Sequence, residues 1–394
     1  MKTLKKYMNI LLTGATGFLG GELLVSLSQH SNVDKIYCLV RAKNKEDGLC
    51  RLQKVFNLHN DKFDTTKVIP VIGDLLDQNL SQSLINDPEL KDIDTVIHSA
   101  ANTSFSRIYD DLIERINING LKEILIFSQQ LKKLKTFVYV GTATICGKGM
   151  TNTVVKEEDS PNLESKHFVK YTYTKMLGEI AVREFIPEEK VLIVRPSIIM
   201  GDSRPWVPRS YVIMWAVETI NLLRLIPVNA IAPLDMIPVD YASKAIIELL
   251  FIQQRKHSVY HVSSGVHSAT SALKMADVIK EYYPDKPDFK FVKKGLINQM
   301  KNWSRGRLQE DSELHNYSKY LDYWSDMLGD KSRLRIIFAG LEPYLEFMEL
   351  GQIFDNSRLI HETNIGYPQS AHDYLNTCLP YFEKIDIFEG ALDP

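Results

Sequence analysis

Cysteine is scarce in this chain: four residues in 394, Cys38, Cys50, Cys146 and Cys378, far apart and in no paired spacing. That argues against a zinc ribbon or a redox couple, leaves no metal site to read, and fits reduced thiols in a cytoplasmic setting. An excess of one charge is lacking too. Lys and Arg number 47 against 49 Asp and Glu, for a formal net charge of -2, which gives no bulk attraction to nucleic acid. Nor is there a long apolar run. The oiliest stretch, Tyr211 to Ala232, is broken by Glu218, Asn221, Arg224 and Pro227, whereas a spanning helix needs about 20 mainly apolar residues. Peripheral contact of that stretch with a membrane surface stays open, as does the oligomeric state. Met1 to Tyr7 is basic, yet the apolar run behind it is short and stops at Thr13-Gly14, so it reads as a strand and not an export signal. There is no internal repeat and no low-complexity tract. What remains is a globular chain, 44% apolar, longer than one ordinary domain.

What the chain does have starts at Met8-Asn9-Ile10-Leu11-Leu12, a short apolar run that reads as a buried parallel strand. Thr13-Gly14-Ala15-Thr16-Gly17-Phe18-Leu19-Gly20 follows, and Glu22 to Leu27 carry helical spacing. Strand, glycine turn and helix in that order make a dinucleotide site. Gly14 permits the tight turn, Gly17 lets the backbone approach a pyrophosphate, and Gly20 lets the helix pack closely on the sheet. The helix start offers free N–H groups and roughly half a positive charge to phosphates. Lys35 to Val40 reads as a second strand, ending at Arg41-Ala42-Lys43. A cofactor with a free ribose hydroxyl meets an acidic residue about 20 residues past the glycines. Arg41 stands there instead, with Lys43 close by, and a guanidinium suits a ribose phosphate. The cofactor read from this is NADP, used as NADPH.

Val68 to Leu75 and Thr95 to Ala101 read as the third and fourth strands. Asp74 is placed to meet an adenine edge, and the small residues Ser99, Ala100 and Ala101 let a cofactor lie close. His98 reads as a packed strand residue. Asn117 falls inside a helix, where Asn is mildly unfavourable, and is expected to hold a buried water or backbone group. Phe137 to Val140 is a fifth strand running into Gly141-Thr142-Ala143-Thr144, and a loop leaving the carboxyl end of a central parallel strand is where an open α/β sheet puts its chemistry. Tyr171 and Lys175 open the next helix. Positions four apart share one helix face, so both can project into one site. A phenol titrates at about 10, and a cation beside it favours the phenolate and makes the hydroxyl a usable acid. Val191 to Val194 is the sixth strand, leading to Arg195-Pro196-Ser197-Ile198-Ile199, and Val259 to Val262 is a further one. The segment from Pro205 to Pro238 is oily and aromatic, with Trp206, Tyr211, Met214, Trp215 and Leu222. Leu341 to Leu350 and His372 to Phe382 are amphipathic, the first with Pro343 acceptable only in its opening turn.

Together these motifs resemble the extended short-chain dehydrogenase/reductase superfamily and, within it, the fatty acyl-CoA reductase and thioester reductase branch. The order and spacing match over residues 8 to 265. The branch rests on Leu39 to Lys43, Arg195 to Ile199, Pro205-Trp206, and the tail stretch Gln352-Ile353-Phe354-Asp355-Asn356-Ser357. The resemblance implies an α/β fold, a Rossmann-type doubly wound parallel sheet. Residues 1–268 would form this domain, with a smaller interleaved substrate region at about 202–237, and residues 269–394 a mostly helical substrate region. By the same resemblance Thr13, Gly14, Thr16, Gly17, Phe18 and Leu19 cradle the dinucleotide, and Arg41 and Lys43 take its ribose phosphate. Asp74, Leu75, Ala100, Ala101 and Asn117 line it, and Pro196 and Ile198 complete the set.

Tyr171 would then be the proton donor to the developing oxyanion, Lys175 would hold the nicotinamide ribose and tune the tyrosine, and Thr142 would be the catalytic hydroxyl. Gly141 stands where the branch commonly has serine, so a single hydroxyl has to serve. Cys146 is near the loop, but no activating base is visible, and it reads as a packed or site-lining thiol. The expected activity is NADPH-dependent reduction of a long-chain acyl thioester, on coenzyme A or acyl carrier protein, to the aldehyde and on to the alcohol if a second hydride follows. Two other readings stay open: reduction of a keto group on a lipid or epimerase/dehydratase chemistry on a nucleotide-linked sugar, and a non-catalytic nucleotide sensor. Arg41 speaks against an NAD-retaining epimerase, and the set of Thr142, Tyr171 and Lys175 against the sensor.

Overall fold

The computed structural model describes residues 7–159, 161–205, 212–329 and 331–386. Trp206 and Tyr211 lie outside the described residues.

Short aliphatic runs form the centre. Strands β1 (Met8–Thr13), β2 (Val33–Val40), β3 (Val68–Ile72), β4 (Thr95–His98), β5 (Thr136–Val140), β6 (Val191–Pro196) and β7 (Val259–Val262) make one sheet. Its order is β7-β6-β5-β4-β1-β2-β3, and every neighbouring pair is parallel. Both faces of such a sheet must be covered, which is why β4, β6 and β7 are buried at every residue. The covering helices are α1 (Phe18–Gln29), α2 (Lys45–Asn57), α3 (Leu80–Asn86), α4 (Leu121–Gln130), α5 (Lys170–Phe185) and, beyond α6 (Val212–Leu223) of the oily segment, which packs with the tail helices, α7 (Val239–Phe251). Thr13 pairs with both Leu39 and His98, and His98 with Tyr139, so the carboxyl ends of β1, β2, β4 and β5 finish level. The chain winds outward in opposite directions from β1 and β4. That switch point opens a crevice at the carboxyl edge, the ligand position of open α/β sheets.

Past the sheet come α8 (Ala272–Tyr282), α9 (Leu296–Ser304), α10 (Ser318–Leu328), α11 (Lys331–Met348) and α12 (Ala371–Cys378). The oily segment and the tail pack together. Trp215 and Leu223 of α6 share one hydrophobic core with Ile279, Trp324, Phe338 and Leu375 of the tail helices. The tail also returns to the sheet domain. Ile353-Phe354 pairs in parallel with Val154-Val155, and Leu359 sits in the core under β1 and α7. Asp235, fully buried, accepts N–H bonds from Ser264 (2.7 Å) and Phe354 (2.9 Å), tying insertion, sheet and tail at one point.

One helix departs from expectation. α11 starts ten residues before Leu341, so Pro343 lies inside it and not in its first turn. The missing N–H bond is a local loss. Burial of Leu334, Ile337, Phe338, Leu341 and Leu345 along one face outweighs it. No helix among the described residues is long and apolar enough to cross a membrane.

Candidate active site

A cavity of about 710 Å³ follows the carboxyl edge from the glycine turn to the helical core. At its polar end Gly14 has φ +77°, and a Cβ there would lie 2.7 Å from the Ala100 nitrogen. A Cβ on Gly20 would fall 2.1 Å from the Gly14 carbonyl oxygen. The turn therefore exists only because neither residue has a side chain. Gly17 precedes α1 in an extended conformation with no side-chain cap, which leaves the first N–H groups of α1 for an anionic ligand. Thr13 acts on the frame: its hydroxyl lies 3.2 Å from the Ala100 N–H it accepts and 3.0 Å from His98 Nδ1. It thus stitches β1 to the loop after β4. Thr16, Phe18 and Leu19 also line the cavity.

Beyond β2 the structure rearranges the basic group. Arg41 lines the cavity, and so does Arg51 from α2, whose guanidinium donates to the Arg41 carbonyl. Lys43 does not line it. It is exposed, and its N–H donates to the Asp47 carboxylate (3.0 Å) where Asn44 caps α2. The cap turns the chain away directly after Arg41, and a helical residue ten positions later returns to the edge. Asp74, Leu75, Ala100, Ala101, Pro196 and Ile198 all line the cavity. Asn117 is not among its lining residues. It sits in a π turn (Arg115–Gly120), accepts from the Asn102 N–H (2.8 Å) and donates to the Asn102 carbonyl (3.0 Å) and to Thr174 (3.0 Å). Thr174 in turn donates to the Tyr171 carbonyl (2.9 Å), so Asn117 locks the loop after β4 to the helix that presents Tyr171.

Tyr171 and Lys175 both face the cavity. Lys175 Nζ, buried, donates to the Val140 carbonyl at the end of β5 (2.7 Å), and the Tyr139 hydroxyl donates to the Lys175 carbonyl (3.1 Å). Glu179, one turn further, makes a two-point pair with Arg195 of β6 (2.9 and 2.7 Å). Tyr171, Lys175 and Glu179 thus follow one helical face, the last bolting it to the sheet. The phenol is not lowered as expected, because burial alone sets its shift. Burial pushes Tyr171 up to about 12 and Lys175 down to about 7. Tyr171 is consequently a fully protonated donor at neutral pH.

Thr142 is buried at the mouth of the loop, its hydroxyl 3.0 Å from that of Thr144, and both line the cavity. A second hydroxyl therefore stands beside the first, despite Gly141. Thr142 caps the 3₁₀ turn Ala143–Gly149, and that turn folds Thr144 back beside it. The stacked aromatic wall left no trace in the sequence. The Phe105 ring lies 6.3 Å from Tyr171, 4.8 Å from Tyr344 and 5.1 Å from Phe347. Cys146 packs among Ile145, Val155 and Phe354, and burial raises its thiol to about 11. It is a core thiol, as its surroundings in the sequence indicated. Among the described residues, Glu22, His59 and Asp202 have metal-like spacing, but Arg204 ion-pairs both carboxylates, at 2.9 and 2.6 Å.

The pattern of the Male sterility protein family, a family of NAD-binding domains, matches residues 12–246. This chain belongs to that family. The match runs from β1 through α7 and covers the glycine turn, Arg41, Thr142, Tyr171 and Lys175, so a nicotinamide dinucleotide is the ligand its crevice is built for. Family membership also places the chain among the extended short-chain dehydrogenases/reductases. The chain is 34% identical over 268 residues to a linear gramicidin synthase polypeptide of Brevibacillus parabrevis, covering 65% of this chain and 5% of that one. It is 28% identical over 304 residues to fatty acyl-CoA reductase 2 of Mus musculus, covering 65% of this chain and 58% of that one. The chain thus spans less than two thirds of these relatives. In fold it is similar to the terminal R domain of the myxalamid PKS-NRPS pathway, with a TM-score of 0.71, 22% identity, and 96% and 91% of the two chains covered.

Proposed function

We propose that this member of the Male sterility protein family is an NADPH-dependent reductase of a long acyl thioester, carried on coenzyme A or acyl carrier protein. One observation carries the reading: a single cavity joins the dinucleotide turn, the group of Thr142, Tyr171 and Lys175, and an apolar arm lined by Ile213, Val217, Met275 and Phe291. The donors fit the cofactor. Gly14 and the open start of α1 suit a pyrophosphate, and Arg41 with Arg51 suit a ribose phosphate. Bound NADPH supplies the hydride. Thr142 and Thr144 hydroxyls donate to the substrate oxygen as charge grows on it, and the Tyr171 phenol gives up its proton to that oxygen, leaving a neutral hemithioacetal. Loss of the thiol regenerates a carbonyl as the aldehyde, and a second hydride and proton would give the alcohol. Lys175, whose ammonium donates to the Val140 carbonyl, would hold the nicotinamide ribose. At about 0.8 kcal/mol per buried methylene, the acyl chain supplies much of the binding energy.

The test is incubation with NADPH and palmitoyl-CoA, reading free thiol, aldehyde and alcohol. Thiol release with matching NADPH loss is expected. Consumption of NADPH with a keto-lipid, and none with coenzyme A or carrier-protein thioesters, would replace the thioester reading by the keto-lipid one.

A further inference from the structure

The apolar arm has a direction and an end. Its two walls are helical stripes: Ile213, Ala216, Val217 and Ile220 on α6, and Ala272, Met275, Ala276 and Ile279 on α8. Both stripes start near the reactive groups. The Trp215 ring lies tilted 5.6 Å from Tyr344, which meets Phe105 beside Tyr171. The start of α8 follows Thr270, paired with Leu234, and Met236 pairs with Ile198 at the sheet edge. The lining of both stripes stops at Ile220 and Ile279, and Ile226 and Phe291, which pair in parallel, line the cavity as well. Past Ile220, Leu223 and Arg224 are buried and Trp324 donates to the Leu223 carbonyl (2.8 Å), so core fills the space beyond the stripes.

We propose that Ile220, Ile226, Ile279 and Phe291 form a blind floor that limits the length of the acyl chain, with α8 as a ruler graduated in helical turns. This rests on the arm holding an acyl chain, as the proposed function has it. Seven residues of helix advance about 10 Å. An extended chain advances about 3.5 Å per three bonds, so each stripe spans about nine carbon–carbon bonds. One turn of α8, about 5.4 Å, corresponds to four or five.

The experiment displaces a fluorescent fatty acid from the whole protein with saturated fatty acids from six to eighteen carbons, and in parallel measures thiol release from the matching acyl-CoAs. Ala276→Leu and Ala276→Phe, one turn above the floor, are expected to shorten the longest well-bound chain by four or five carbons. The long-to-short affinity ratio is expected to fall at least about tenfold. Ile279→Ala is expected to move the limit the other way, and it fills no space, so a failure of the larger side chain to fold does not decide the matter. Affinity that changes by the same factor at every length, in all three variants, overturns the floor. A stepped displacement without any thiol release refutes the reductase reading and keeps the floor, and thiol release without a step does the reverse.

Discussion

The sheet half and the helical half of this protein present different problems to a reader of the sequence. In the sheet half the residues that matter are adjacent in the chain to the elements that place them. Gly14 and Gly17 follow β1, Arg41 follows β2, Thr142 follows β5, and Tyr171 and Lys175 share a helix face. In the helical half they are not. The wall facing Tyr171 comes from Phe105, Tyr344 and Phe347, and the arm from α6 and α8, joined only by packing. A site built by chain connectivity leaves a motif. A site built by helix packing leaves only amphipathic faces, which look the same whether they bury a core or line a cavity.

The sharpest test of the sheet half removes its acid. Tyr171→Phe is expected to lower turnover by about 10²–10⁴ with the far-UV dichroism unchanged. Activity equal to wild type would leave the connectivity-built half without its chemistry. The next asks whether the halves are separate bodies. Glu179→Ala leaves Arg195 buried and unpaired, at a cost of about 3–5 kcal/mol. Phe338→Ala opens a hole in the helical core at a similar cost of about 3–5 kcal/mol. The shared tie at Asp235 and the return of Leu359 to the sheet core argue for one cooperative transition. Urea unfolding followed by tryptophan fluorescence and by dichroism is expected to shift together in both variants, and two separated transitions would divide the molecule where the packing joins it.

Removing the oxygen donors gives a smaller effect. Thr142→Ala is expected to lower kcat by no more than the about 2.7–4 kcal/mol of one oxyanion donor, because Thr144 stands 3.0 Å away, and the double variant is expected to fall further. Smaller again is the loss at the end proposed to hold a ribose phosphate. Arg51→Ala is expected to raise the NADPH KM about ten- to a hundredfold, as loss of a charge-assisted bond does, and to leave NADH unaffected. Lys43→Ala, off the cavity, is expected to change neither. A reversal of those two results would return the basic pair to the one read from the sequence.

A separate test, on a different readout, concerns pH. The Lys175 pKa of about 7 lies below the roughly 10.4 of an unfolded chain. Between those values the unfolded chain binds the extra proton, so this group makes stability rise with pH across that window. It contributes its full penalty below about 7 and none above about 10. Lys175→Met is expected to flatten the slope of unfolding free energy against pH from 7 to 10, and an unchanged slope would remove the assigned shift.

Much of the sheet was legible because parallel strands buried on both faces must be short aliphatic runs, and β1, β5 and β7 fall where those runs fall. Lys43, read from the sequence beside Arg41, lies off the cavity wall because the Asn44 cap turns the chain away directly after Arg41, a turn that adjacency in sequence does not record. Asn117 was expected to hold a buried water or backbone group, and it holds the Asn102 backbone. That bond serves the placement of Tyr171. Pro343 was placed at a helix start because the rule for proline is local, and α11 shows a packed face overriding it.

By itself the sequence determined the doubly wound sheet, the glycine turn and the spacing of Tyr171 and Lys175, since each depends on backbone sterics or periodicity within a few residues. Tertiary structure alone decided which second arginine joins Arg41, that Thr144 backs Thr142, and that insertion and tail share one core with an apolar arm inside it. Those outcomes depend on which buried surfaces meet. Burial energy is non-directional and depends on area, so no local pattern records its partner.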